Sequence, residues 1–373
     1  MQGLQLRSLI RESGELELSL LAVDVAQPGD EEVTIRIEAT PINPSDIGLL
    51  TGPADMSAAR STGTKQQPIV TAPIAHNFMR ALAGRVGQSL PVGNEGAGTV
   101  VKAGKNVQDL MGKTVAATGG AMYSQYRTVR AADCLVLPIG AKAEDGASSF
   151  VNPLTALGMV EAMRTEGHVA IVHTAAASNL GRMLVKLCLE ERVPLVNVVR
   201  KPAQAALLRD LGAKYIVDTS APSFFDDLTD AVIETRATIA FDAIGGGELG
   251  SQILTAMEIA ASKSMTTYSR YGSSTPKQLY IYGTLDTSPT KLARSYGMAW
   301  SVGGFLITNF LQKIGPTRRA ELRARVAAGL RTTFASYYSH TISLAEALDL
   351  DVMSRYLKRE TGQKYLINPN KGL

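Results

Sequence analysis

The sequence predicts an α/β protein made of two parts, a doubly wound parallel sheet covered by helices and a separate β-rich domain. Two patterns lead there. In residues 32–39, EVTIRIEA, Val33, Ile35 and Ile37 alternate with Thr34, Arg36 and Glu38, the period-two pattern of a half-buried strand. Beyond residue 150 that alternation gives way to short apolar runs separated by helical patterns, as in a parallel sheet buried on both faces. The expected division is a β-rich domain over residues 1–150, completed by 316–373, with the parallel-sheet domain over 151–315.

The elements of the second domain follow in order. HVAIVH (168–173) is a strand and NLGRMLVKLCLEE (179–191) a helix. PLVNVV (194–199) is a strand, AQAALLRDLG (203–212) a helix closed by Gly212, and YIV (215–217) a strand. A helix near 223–235, the strand TIAFDAI, a helix near 248–258 and the strand LYIYG complete the series. Such a succession places a ligand beyond the carboxyl ends of the strands. Residues 264–285 supply either an edge strand, open to pairing across an interface, or a hairpin at the end of the sheet. Residues 53–91 are rich in small and polar side chains, but Ile74, Phe78 and Leu82 recur at helical spacing. They form either a surface insertion anchored by a helix or a lid or subunit contact.

Composition removes several classes of function. The formal net charge is +4, with the basic residues scattered, so no nucleic-acid groove is implied. No apolar stretch approaches the length of a membrane span and the N-terminus lacks a signal pattern, so a cytoplasmic protein without a membrane partner is expected. Cys134 and Cys188 are far apart and read as two reduced core thiols. His76, His168, His173 and His340 show no paired spacing. No metal site is expected.

The stretch IVHTAAASNLGRMLVKLC (171–188) runs from strand through a small-residue turn into a helix. A pyrophosphate at a helix start needs exposed backbone N–H groups, the positive end of the helix dipole and no bulky side chain. Ala176, Ser178, Asn179, Leu180 and Gly181 are the candidate contacts. Ser178 and Asn179 can cap the helix, Asn179 tolerates a left-handed backbone in place of a glycine, and Gly181 suits close helix-to-strand packing. The next strand ends in Arg200 and Lys201 with no acid nearby. Either these are solvated residues opening a helix, or the Arg200 guanidinium grips the extra phosphate of NADP through parallel hydrogen bonds, which favours NADPH as cofactor.

Together these residues resemble the medium-chain dehydrogenases and reductases, in particular their zinc-independent quinone oxidoreductase and enoyl reductase branches. The resemblance runs through PINPSDIGLLTG (41–52), VGNEGAGTVVKAGKNVQDLMGKTVAA (92–117), NPLTAL (152–157), TAAASNLG with NVVR, and GQKYLINP (362–369). It implies a Rossmann-type sheet, a GroES-like catalytic domain and a homodimer. It also implies no catalytic zinc, since amides, Asn43 and Asn94, stand where the zinc-dependent relatives carry a cysteine and a histidine. Asn43 and Thr155 would lie near the nicotinamide, and Gly181, Arg200, Lys201 and Tyr215 near the adenosine phosphate. Tyr282, Gly283 and Thr284, then Phe305 and Leu306 of GFL (304–306), and Lys364 would wall the nicotinamide side.

One departure bears on the chemistry. The family's tyrosine after the N-P-x-D segment, a proton donor or substrate contact, has no counterpart in IGLLTGPA. Tyr123, Tyr126 and His76 either substitute for it or are packing and surface residues; the catalytic residue is unassigned, with Tyr123 as the candidate. The expected activity is NADPH-dependent hydride transfer to a small-molecule quinone or α,β-unsaturated carbonyl compound. The alternative is an NADPH-binding redox-sensing or scaffold protein without catalysis.

Overall fold

The structure is a computed structural model that describes residues 1–372. The chain divides into two compact units, residues 1–151 with 323–373, and residues 152–322.

Residues 152–322 carry a six-stranded parallel sheet. In spatial order its strands are Tyr215–Asp218, Leu195–Val199, Ile171–His173, Ile239–Asp242, Lys277–Ile281 and Trp300–Gly304, that is 3-2-1-4-5-6. A crossover helix must return the chain to the same edge before a parallel strand can pair. Asn179–Glu191, Pro202–Asp210 and Phe224–Thr235 do this for the first four strands. Val172, Val196, Val198, Val217 and Ala240 meet Leu228, Val232, Ile253, Leu254 and Met257 in one buried cluster. The run of apolar residues in each strand is explained by burial on both faces. The strand order reverses between Ile171–His173 and Ile239–Asp242, where this topology opens a crevice.

The segment 264–285 behaves differently from either expectation. Its strand, Lys277–Ile281, is internal and parallel to both neighbours, and the edge is taken by Trp300–Gly304. That edge strand carries no strand-like pattern, because WSVGG has two glycines and no run of apolar side chains. The helix placed near 248–258 continues to Lys263.

The other unit contains a five-stranded antiparallel sheet, in the order Arg60–Gly63, Pro68–Pro73, Glu15–Asp24, Gln2–Ile10 and Ser89–Pro91. A seven-stranded sheet runs Cys134–Val136, Thr114–Thr118, Glu95–Ala103, Glu32–Pro41, Tyr365–Ile367 and His340–Ile342, with Tyr126–Arg130 also pairing onto Glu32–Pro41. Val33, Ile35 and Ile37 are fully buried as their alternation predicts. Thr34 on the opposite face is buried too, its hydroxyl 3.0 Å from that of Thr128.

Residues 53–91 are not a loop around one helix. They supply three strands of the five-stranded sheet, and Val70 and Ile74 sit in its core. The predicted helix is a single turn, His76–Met79, and Phe78 is 44% exposed. Chain pairing with Glu15–Asp24 anchors the segment in place of an amphipathic face. No helix among the described residues is long and apolar enough to cross a membrane. Cys188 is buried but Cys134 is only half-buried, so one of the two thiols expected in the core lies at its margin.

Candidate functional site

At the carboxyl end of Ile171–His173 the chain makes the small-residue turn. Ser178 is the N-cap of the helix Asn179–Glu191, its hydroxyl accepting from the Gly181 amide at 3.1 Å. A Cβ at position 181 would stand 2.1 Å from the Ala176 carbonyl oxygen, so only glycine lets helix and turn approach this closely. The left-handed residue of the turn is Ala175, at φ +50°, and not Asn179, which is already the first helical residue. The reversal must be finished before the extended N-cap, and this moves the left-handed position upstream. The Ala176 amide donates to the Val198 carbonyl at 3.2 Å, whereas the Ala177 and Leu180 amides take no protein acceptor among the described residues.

Across the switch point, Asp242 is almost fully buried. Its carboxylate accepts from the Thr174 hydroxyl at 2.6 Å and from the amides of Ile244 and Gly245 at 2.9 and 3.0 Å. The Thr174 oxygen in turn accepts from the Ala243 amide at 2.8 Å. This network sets the spacing of the two strand ends. His173 is fully buried, and burial pushes its pKa down to about 3, so the ring is neutral. Its Nε2 lies 2.8 Å from the Tyr282 hydroxyl, while Nδ1 has no partner among the described residues. Beside Tyr282, Gly245, Ile281, Gly283, Thr284, Asp286 and Thr290 line a cavity of about 350 Å³.

In the other unit, a buried polar cluster is organised by two carboxylates. Asp46, at the start of the helix Pro44–Leu50, accepts from the amides of Asn43 and Asn94, each at 2.8 Å. Burial pushes its pKa up to about 7 against the pull of those two hydrogen bonds. Glu95 accepts from Asn43 Nδ2 at 2.8 Å with one oxygen. With the other it accepts from the Phe150 and Val151 amides at 2.7 and 2.9 Å. Asn43 is 2% exposed and its Oδ1 has no partner among the described residues. A buried acceptor left unpaired costs about 1–3 kcal/mol, and a ligand donor would repay it.

No protein-family model matches the chain. Among curated proteins it is 24% identical over 318 residues to the mitochondrial enoyl-[acyl-carrier-protein] reductase of Xenopus tropicalis, covering 82% of this chain and 77% of that one. Among solved structures it matches a Mesorhizobium loti protein provisionally named an NADPH:quinone reductase, with 26% identity, a TM-score of 0.72 and 98% of both chains covered. Escherichia coli quinone oxidoreductase, solved with NADPH, matches with 16% identity and a TM-score of 0.68 over 99% of this chain and all of that one.

The chain has the medium-chain dehydrogenase/reductase fold.

Within this medium-chain reductase fold the expected residues are distributed as follows. Arg200 and Lys201 are exposed at the end of Leu195–Val199, and Lys201 is the N-cap of the next helix. The Tyr215 hydroxyl is 2.8 Å from Glu234 and accepts from Lys214, so a neighbouring carboxylate engages it. Thr155 is buried on the helix Val151–Thr165. Phe305 packs among Phe241, Tyr280 and Phe310, whereas Leu306 is 58% exposed. Lys364 donates to Ser148 at 2.8 Å; burial pushes the Glu95 pKa up, and the Lys364 charge opposes that rise.

Tyr123 is not placed to deliver a proton. It is fully buried in the hydrophobic cluster, its hydroxyl donating to the Pro41 carbonyl at 3.1 Å, and burial beside Asp46 holds its pKa well above the usual phenol value. Tyr126 lies half-buried in a strand and His76 is exposed on the one-turn helix. Sequence reasoning misses Asp46, Glu95, Thr174, Asp242 and His173. Their signal is modest but real, single polar residues at the ends of apolar strands and the acids of N-P-S-D and G-N-E-G.

Proposed function

We propose that the protein is an NADPH-dependent, zinc-independent reductase that passes hydride to a quinone or to the alkene of an α,β-unsaturated carbonyl compound. The observation that carries this reading is the turn at the switch point. There Gly181 lets the helix start close against Ala176 with no bulky side chain in the turn, and unpartnered amides of Ala177 and Leu180 stand at the positive end of the helix. Arg200, exposed at the end of the second strand, supplies the contact for the adenosine-side phosphate. Asn43, whose buried Oδ1 is unpaired, supplies an acceptor for a hydroxyl or amide of the nicotinamide nucleoside. Tyr282, Gly283, Thr284, Phe305 and Leu306 supply the remaining wall.

NADPH, when bound, supplies the hydride. The protein's part is to hold donor and acceptor in register and to exclude water. Because Tyr123 is committed to packing, solvent is the proton source this reading favours, which suits quinones better than enoyl thioesters. Residues 152–322 serve as the dinucleotide-binding part and the β-rich unit as the catalytic part, in a cytoplasmic homodimer that light scattering would detect.

The test is steady-state assay of quinones, enones and enals with NADPH and with NADH. Turnover with a preference for NADPH is expected. The packing of Tyr123 away from solvent favours a second reading, an NADPH-binding protein without catalysis, and tight NADPH binding with no turnover of any acceptor would select it.

A further inference from the structure

The orphaned oxygen of Asn43 has a partner in its own side chain that is not orphaned, and the difference is imposed by Glu95. Burial raises the Glu95 pKa and is opposed by the Lys364 charge and by three donors, Asn43 Nδ2 and the Phe150 and Val151 amides; held by those donors the carboxylate accepts, and the amide end facing it is the NH2. The 2.8 Å contact from Asn43 Nδ2 to Glu95 Oε1 therefore leaves Oδ1 on the opposite side. The second Glu95 oxygen is held by the amides of Phe150 and Val151, so the carboxylate cannot rotate away without losing both hydrogen bonds. Both side chains are at least 98% buried, which removes water as a competing partner.

We propose that Glu95 is a positioning residue for ligand recognition: it dictates that Asn43 presents an acceptor, and so selects a ligand group that donates, a ribose hydroxyl or a carboxamide NH2. Identifying the ligand as a nicotinamide nucleotide rests on the function proposed above, but the control of amide orientation does not.

Glu95→Gln makes the distinction visible. The two backbone amides of Phe150 and Val151 require an oxygen, which turns the introduced NH2 towards Asn43. Asn43 must then reverse, offering Oδ1 to the new donor and leaving its own NH2 in the place of the former acceptor. A nearly isosteric change thus converts acceptor to donor without altering the outline of the site.

Neutron diffraction from ligand-free crystals of the wild type and of Glu95→Gln reads the orientation directly. Reversal of Asn43 in the variant is expected, and an unchanged orientation overturns the proposal. NADPH titration of the wild type, Glu95→Gln, Asn43→Ala and the double variant then reads the consequence. Glu95→Gln should weaken binding by about tenfold or more alone, and not at all in the Asn43→Ala background. An equal loss in both backgrounds means that Glu95 acts only through the fold and overturns the positioning role. Should Glu95→Gln not fold, the wild-type complex decides. A ligand hydroxyl or amide nitrogen against Oδ1 supports the proposal, and a phosphate or carbonyl oxygen there ends it. A wild type that fails to bind NADPH defeats the functional reading, while the diffraction result still decides the orientation.

Discussion

The Ala176 carbonyl oxygen occupies the space that a side chain on residue 181 would need, 2.1 Å from the position of its Cβ. Backbone on both sides leaves no flexible group to yield. Gly181→Ala should therefore cost about 1–3 kcal/mol, the range for overpacking a well-packed site, and should weaken NADPH binding by displacing the Leu180 amide. Urea denaturation and NADPH titration check both effects. A variant as stable and as tightly binding as the wild type would show that turn and helix can part freely.

Arg200 predicts cofactor choice. On the proposed reading its removal deletes charge-assisted hydrogen bonds worth about 1.5–3 kcal/mol, so Arg200→Ala should raise the KM for NADPH roughly tenfold to a hundredfold and leave that for NADH nearly unchanged. A parallel rise for both cofactors would assign the arginine to the fold or to general anion attraction.

Asp46 predicts a pH dependence of stability. Its folded pKa, pushed up to about 7, lies above the ordinary carboxylate value, so the folded state retains a proton that the unfolded chain releases. The sign follows: this contribution is complete below about pH 4 and is lost as the pH rises towards 7, by at most about 1.4 kcal/mol per pH unit. Urea denaturation between pH 4 and 8 should show the wild type losing stability relative to Asp46→Asn across that window. Parallel curves would mean that the carboxyl is ionised throughout.

Lys277 and Glu258 form a buried ion pair at 2.6 Å, with Ser273 donating to the carboxylate at 2.6 Å. Breaking such a pair from one side leaves an uncompensated charge. Lys277→Met should cost about 3–5 kcal/mol, and adding Glu258→Gln should recover part of it. Denaturation of the single and double variants tests this, and a loss below about 1 kcal/mol would show that water reaches Glu258.

The candidate site is partly legible in the sequence. The turn from 171 to 188 shows itself in composition, because the close approach of helix and turn selects for small residues and leaves Gly181 no substitute. Asn43 and Glu95 stand inside recognisable motifs, yet nothing local reveals that one restrains the other. They are 52 positions apart and meet only when Glu95–Ala103 pairs beside Glu32–Pro41. Tyr123 shows the opposite failure. Its sequence neighbours read as a glycine-rich turn, and only the packing around Leu6, Ile47 and Tyr365 shows that its ring faces inward.

Short-range periodicity and backbone sterics suffice for the class of fold, for the alternation of strands and helices after residue 150 and for the dinucleotide-like turn, so all three can be read from the chain of residues. The strand order, the recruitment of residues 53–91 into a sheet, the edge position of Trp300–Gly304 and the orientation of the Asn43 amide come only with the folded molecule. Each of those depends on which distant backbone groups or side chains meet out of reach of water, and hydrogen-bond partners of that kind are not written in local pattern.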